Sequence, residues 1–115
     1  MFCMLLNHGG KFTDFPGRKY VNGKRHYVDL IDIETFCVHD IDDMMVKLGY
    51  IDENLHVEMY YHFRRPLCDL DFGLFALASD DDVRHLAKYV GQHKLIEVYT
   101  EPVSYTHLTL PTSDL

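Results

Sequence analysis

The sequence predicts an α+β fold in which a mixed sheet of four to five strands carries two helices on one face. Residues 41–48 and 83–90 each place apolar side chains at the i, i+3, i+4, i+7 spacing of a helix that buries one side. Other segments have the β-branched, aromatic or alternating pattern of strands: residues 1–7, 20–32, 55–63 and 94–100. Because a chain of 115 residues buries one modest core, a single domain is expected.

The N-terminal segment predicts a buried strand followed by a tight hairpin. Residues 2–6 are all apolar, and the Gly9-Gly10 pair is a turn signal that ends this first strand. Asn22-Gly23 lies between β-forming residues and readily supplies the two positive-φ positions of a hairpin turn. The sequence therefore predicts a hairpin tip at this dipeptide, with a second strand continuing to residue 32.

A change of period after residue 32 predicts the first helix. Its apolar stripe consists of Ile41, Met44, Met45 and Leu48. Acidic side chains, which favour the positive end of the helix dipole, are expected in the first turn: Asp40, Asp42 and Asp43. Gly49 follows the stripe and predicts the C-terminal cap.

The second half of the chain predicts a strand, a loop, a short strand, a helix and a final strand. Residues 69–73 combine turn chemistry with apolar residues, and residues 74–77 form the short strand. Either Ser79 or Asp80 caps the second helix, and Gly91 closes it. The apolar stripe of this helix consists of Val83, Leu86, Ala87 and Val90.

The resulting order, β-β-α-β-β-α-β, predicts a ubiquitin-like β-grasp fold. In this arrangement the first and last strands run parallel at the centre of the sheet, and the helices cover one face.

Composition and motifs favour no catalytic chemistry and no bound cofactor. The formal net charge is −7, and a negative surface repels nucleic-acid phosphates and acidic membranes, so direct nucleic-acid binding is not expected. Cys3, Cys37 and Cys68 form no close pair, and the eight histidines are scattered singly, so no metal site is expected. No leader peptide or membrane span is recognisable, which predicts an intracellular protein, nuclear or cytoplasmic, that does not bind a membrane. No small-molecule substrate is expected either.

The concentration of carboxylates in the second half is the most informative functional signal. Five acids lie within a short segment: Asp69, Asp71, Asp80, Asp81 and Asp82. They are either a solvated helix start whose acids favour the helix dipole, or a docking patch for Lys and Arg side chains of a protein partner. The alternative function is a DNA-associated regulatory module, in which the Arg18-Lys19 and Lys24-Arg25 pairs of the hairpin contact phosphates.

The same segment resembles the acidic motif of Phox-and-Bem-type (PB-one) domains. The matching strings are residues 68–73 (CDLDFG) and residues 78–83 (ASDDDV). The resemblance implies a β-grasp module that binds a protein partner, with the five acids above at the acidic positions and Gly73 as the turn glycine. Phe72 and Leu74 replace the acids around that glycine. The first strand contains no lysine, so a basic docking face is not implied.

A longer resemblance covers residues 1–101 and is to the PB-one-like domain of plant proteins related to Mutator-type transposases. It is carried by these strings: NHGG (7–10), PGRKYVNGK (16–24), VHDIDDMM (38–45), CDLDFGL (68–74) and LAKYV (86–90). The resemblance implies a non-catalytic fragment of a transposase-derived protein.

The last residues differ in pattern from the domain. Residues 103–115 have no helical period and resemble a sequencing adapter translated at the end of a truncated gene model. We therefore expect a domain over residues 1–101 and a non-domain tail over residues 102–115, which is either an artefact of this kind or a genuine disordered or extended tail.

Overall fold

The computed structural model describes residues 1–51 and 58–102 and confirms the α+β prediction. Its elements are β1 (Phe2–His8), β2 (Lys11–Phe12), β3 (Tyr20–Val21), β4 (Lys24–Ile31), α1 (Val38–Lys47), β5 (Met59–Arg64), β6 (Leu74–Ala76), α2 (Asp80–Val90) and β7 (Leu95–Pro102). The predicted start of the third strand, residues 55–57, and the tail from residue 103 lie outside the described residues.

The main sheet has five strands in the order β4-β1-β7-β5-β6. Its central pair, β1 and β7, is parallel, with Leu6 opposite Val98, whereas the other pairs are antiparallel. The Asn7 side chain fastens this central pair by donating to the backbone oxygen of Val98 at 3.2 Å. The predicted β-grasp fold, with its first and last strands parallel at the centre, is therefore confirmed.

The core lies between one face of the sheet and both helices. Because side chains alternate along a strand, Met4, Leu6, Ile96 and Val98 all point to this face and are buried. They pack with the buried residues of the two helices: Ile41, Met45, Val83, Leu86 and Val90. Each fully buried aliphatic side chain stabilises the fold by about 1.5–3 kcal/mol. Ala87 was wrongly predicted to join this core. It is exposed, because at that turn of α2 it is the neighbouring Leu86 that faces the core.

Helix α1 begins earlier than its acids suggest. Asp40 alone lies in the first turn, where its carboxylate accepts the backbone N–H of Cys37 at 3.0 Å. The prediction was wrong for Asp42 and Asp43, because the helix already starts at Val38 and places them in its second turn. Gly49 adopts φ +91°, the left-handed conformation that ends helices and that glycine adopts without strain.

The structure contains a second, two-stranded sheet, formed by β2 and β3, that was not predicted. The prediction of a hairpin turn at Asn22-Gly23 was wrong. β3 pairs with β2, whereas β4 pairs with β1, so the dipeptide connects two sheets. Of these two residues only Asn22 has a positive φ, at 63°, whereas a type I′ hairpin turn needs two. Gly23 is required for another reason: a Cβ there would lie 2.3 Å from the ring of Tyr20.

The small β2–β3 sheet packs on the face of the main sheet that carries no helix. The rings of Phe12 and Tyr20 contact Tyr99 at centroid distances of 5.5 and 5.3 Å. The Tyr20 hydroxyl donates to the backbone oxygen of Thr100 at 2.7 Å and accepts the Gly10 N–H at 2.9 Å. Residues 9–23 are thereby fixed to the last strand of the fold.

Candidate functional site

The loop between β5 and β6 carries the first two predicted site residues. It is closed by hydrogen bonds from Arg65 N to Gly73 O, at 2.7 Å, and from Gly73 N to Asp69 O, at 2.8 Å. Gly73 is buried, and a Cβ there would lie 2.5 Å from the Cβ of Cys68, so the tight loop requires glycine. The Asp69 side chain accepts the Phe72 N–H at 3.0 Å while remaining exposed to solvent.

Asp71 lies in the same loop but has an internal role. Its two carboxylate oxygens accept the backbone N–H groups of Gly17, at 2.7 Å, and Arg18, at 2.9 Å. These hydrogen bonds, first that of Arg18 and then that of Gly17, lower the pKa of Asp71. Beside them, the rings of Phe15 and Phe72 meet edge to face at 6.2 Å. Asp71 therefore holds the loop that precedes β3 against the loop that follows β5.

Asp82 is the N-terminal cap partner of helix α2. Ser79 precedes the helix, and its hydroxyl accepts the Asp82 N–H at 3.3 Å. In return the Asp82 carboxylate accepts the N–H groups of Ala78, at 2.8 Å, and Ser79, at 3.2 Å. This reciprocal arrangement is a capping box, which satisfies donors that the first turn of a helix leaves without partners. Of the two predicted caps, Ser79 is the correct one.

Asp80 and Asp81 are the acids of α2 that face solvent. Asp81 pairs with Arg84 one turn later, and the two side chains are 82% and 71% exposed. The Asp80 carboxylate has neither a hydrogen bond nor an ion pair within residues 1–51 and 58–102. Over the same ranges, no hydrogen bond or ion pair joins these two acids to Asp69 or Asp71.

A polar cleft on the helix-free face was missed by sequence reasoning. It has a volume of about 300 Å³ and is lined by the small sheet, the β5–β6 loop and the main sheet: Asn7, Lys19, Tyr20, Asn22, Gly23, Arg25, Leu70, Glu97 and Tyr99. Glu97 in this cleft pairs with Arg64 and accepts the Tyr99 hydroxyl at 3.1 Å. Lys19 and Arg25 thus come together from the two predicted basic pairs, a proximity for which the sequence carries no signal.

The thiols and imidazoles show no arrangement for nucleophilic or metal chemistry in the described part of the chain. Cys3, Cys37 and Cys68 are free thiols, and burial, together with Asp29, raises the pKa of Cys3 to about 11. No group of three His, Cys, Asp or Glu residues is placed to hold a metal ion within the described ranges. His8 is buried, and its Nδ1 lies 2.8 Å from the Tyr50 hydroxyl.

Neither described helix is both long and apolar enough to span a bilayer. At 10 and 11 residues, α1 and α2 are about half the length that a span requires.

Comparison with known proteins identifies the family. Neither a curated protein nor a solved structure matches the chain. The profile of the PB1-like domain matches residues 1–102, which include every described helix and strand. PB1-like domains have a ubiquitin-like β-grasp fold, mediate protein–protein interaction and are typically non-catalytic. With this match over most of its length, and with the sheet order described above, the chain belongs to the PB1-like domain family.

Proposed function

We propose that this chain is a non-catalytic protein-interaction module whose exposed carboxylates beside helix α2 bind basic side chains of a protein partner. One observation carries the proposal: Asp80 and Asp81 lie exposed in the first turn of α2, and Asp80 has no internal partner among the described residues. Asp69, also exposed, supplies a third carboxylate from the β5–β6 loop.

The five predicted site residues divide into two roles in this proposal. Asp69, Asp80 and Asp81 contact the partner, because their carboxylates face solvent. Asp71 and Asp82 position the surface, because each already accepts two backbone N–H groups. A carboxylate held in this way fixes the loop or helix that presents its neighbours.

The Asp81–Arg84 pair is compatible with partner binding. An exposed i, i+3 pair contributes only about 0.2–1 kcal/mol, so a cation of the partner replaces Arg84 at little cost. Each new ion pair is equally weak, and the affinity therefore depends on several contacts made together. Such contacts contribute mainly to specificity and to the rate of association, and added salt screens them.

The proposed origin is a transposase-derived protein. The expected domain boundary at residue 101 moves by one residue, because Pro102 is the last residue of β7, and the non-domain tail is proposed to begin at residue 103. The resemblance of the quoted strings to the PB-one-like domain of Mutator-type proteins supports this origin, and the adapter-like pattern of residues 103–115 supports the boundary.

The test is a titration of a partner, captured with the whole chain, against the Asp80→Asn/Asp81→Asn double variant. Asp82 is left intact because its loss would perturb the helix itself. We expect weaker binding and a flatter dependence of the dissociation constant on salt. The matched control is Glu34→Gln/Asp43→Asn, which removes the same charge from exposed positions outside the proposed surface. Unchanged affinity and salt dependence in the first variant would exclude the acidic docking surface.

The alternative, a DNA-associated module, has one supporting observation, the convergence of Lys19 and Arg25 on a single cleft. The net charge of −7 opposes it. A DNA mobility-shift assay titrated with salt separates the two functions. Binding that is lost in Arg18→Gln/Lys19→Gln but kept in the aspartate double variant would favour the alternative.

A further inference from the structure

Strand β4 forms an uncovered edge of the main sheet. It pairs with β1 on one side and has no neighbouring strand on the other side among the described residues. Six of its eight residues are exposed to solvent, among them Tyr27, which is 63% exposed, and Leu30, which is 78% exposed. An edge with free backbone N–H and C=O groups is a template for pairing with a further strand.

The side chains on the helix-free face of β4 follow a charge, aromatic, charge pattern. Arg25 lies opposite Asn7 and Tyr27 opposite Leu5, so both project to the same face. Asp29 is two residues further on and interacts with the thiol of Cys3. All three side chains are exposed.

This pattern is complementary to itself in one antiparallel register. When two copies of β4 pair about a two-fold axis that is perpendicular to the sheet at Tyr27, each Arg25 lies opposite Asp29 of the other copy. The two Tyr27 rings then lie opposite each other at the centre. Directly opposed residues of unlike charge, and opposed aromatic residues, are the pairs that stabilise antiparallel strands.

The neighbouring registers lack this complementarity. A two-fold axis at His26 places Arg25 opposite Tyr27, and an axis at Val28 places Arg25 opposite Ile31. In neither register does Arg25 lie opposite Asp29. The pairing of β4 with β1 becomes irregular after Val28, and Asp29 is the last residue before the left-handed conformation of Leu30, φ 58°. The paired segment is therefore residues 25–29.

We propose that two copies of this chain associate through antiparallel pairing of their β4 edges, centred on Tyr27. The two five-stranded sheets then form one continuous sheet, with all four helices on the same face. Strand β6, at the opposite edge of each sheet, stays at the outside together with the neighbouring acids of α2. The proposal is independent of the proposed acidic docking surface, because it uses a different edge of the sheet.

Sedimentation velocity of the whole chain over a wide concentration range tests this association. We expect a reversible monomer–dimer equilibrium. Arg25→Asp alone, or Asp29→Arg alone, places like charges opposite each other twice and raises the dimer dissociation constant about tenfold or more. The double variant Arg25→Asp/Asp29→Arg restores the equilibrium, and an equimolar mixture of the two single variants pairs, because unlike charges face each other again.

The control is Lys88→Glu, a charge reversal at an exposed site of helix α2 and outside β4, which should leave the equilibrium unchanged. Circular dichroism melting shows whether the variants are folded. If they are not, amide exchange of the unchanged chain decides, since residues 25–29 should gain protection as the concentration rises. A chain that is monomeric at all concentrations, or a dimer indifferent to both single reversals, would overturn the proposal.

Discussion

Replacing Asp82 by alanine should destabilise the domain, whereas the same replacement at Asp80 should have almost no effect. Both residues lie in the first turn of α2, so both variants lose a favourable interaction with the helix dipole, about 0.3–1 kcal/mol. Both also gain a similar amount, about 0.5 kcal/mol, from the higher helix propensity of alanine. These two terms largely cancel in each variant.

The difference between the variants comes from the hydrogen bonds of the capping box. Asp82 accepts the N–H groups of Ala78 and Ser79, whereas Asp80 accepts none. Loss of a capping interaction costs about 1 kcal/mol, within a range of about 0.5–2 kcal/mol. For a domain of this size, 1 kcal/mol lowers the melting temperature by about 4–8 °C.

The assay is urea unfolding followed by circular dichroism, with the two alanine variants and the unchanged chain measured side by side. We expect a lower midpoint for Asp82→Ala, an unchanged slope, and a midpoint close to that of the unchanged chain for Asp80→Ala. Equal midpoints for the two variants would refute the division of the acids into positioning and contact residues.

Three further predictions follow from burial and local geometry. Leu86→Ala should lower the free energy of unfolding by about 2–5 kcal/mol in urea titrations, because Leu86 is fully buried, whereas Ala87→Ser at the exposed neighbour should change it by less than about 0.5 kcal/mol. Burial first, and then the nearby cations, lower the pKa of His8, so the unfolded chain binds the proton more readily. Stability should therefore be full above the ordinary histidine value of about 6.5 and fall as the pH drops below it, and urea midpoints at pH 7.5 and 5.5 should differ less in His8→Asn. Gly23→Ala should destabilise because its Cβ would meet an aromatic ring at 2.3 Å. Gly91→Ala, at a helical φ of −62° with open space around it, should be neutral or stabilising by up to about 1 kcal/mol; melting curves that rank the two glycine variants the other way would contradict the packing described here.

The elements with a strong period were predictable, and the short ones were not. The stripes of α1 and α2 follow directly from apolar spacing, because a helix that packs on a sheet must bury one side. β2 and β3 have two residues each, too few to show any period. Their positions depend on contacts made far along the chain, such as the hydrogen bond from Phe12 N to the Glu101 carboxylate at 3.0 Å.

The acidic segment shows where sequence reasoning about a site stops. In a sequence, an aspartate whose carboxylate binds the backbone cannot be distinguished from an aspartate whose carboxylate faces solvent. The role of Asp82 had a signal, since Ser79 precedes it at the spacing of a capping box. The role of Asp71 had none, because its partners, Gly17 and Arg18, lie more than 50 positions earlier in the chain.

The central parallel pair of the sheet joins the two ends of the domain, and this governs how the chain acquires its structure during synthesis. Among the described strands β1 leaves the ribosome first, and its antiparallel neighbour β4 follows soon after, but its parallel neighbour β7 is the last to be made, with Asn7 and Val98 separated by 91 positions. The nascent chain must therefore hold an apolar first strand with one of its two edges unpaired until β7 has been translated. Folding that waits for such distant contacts is slow and leaves this strand open to aggregation in the interval.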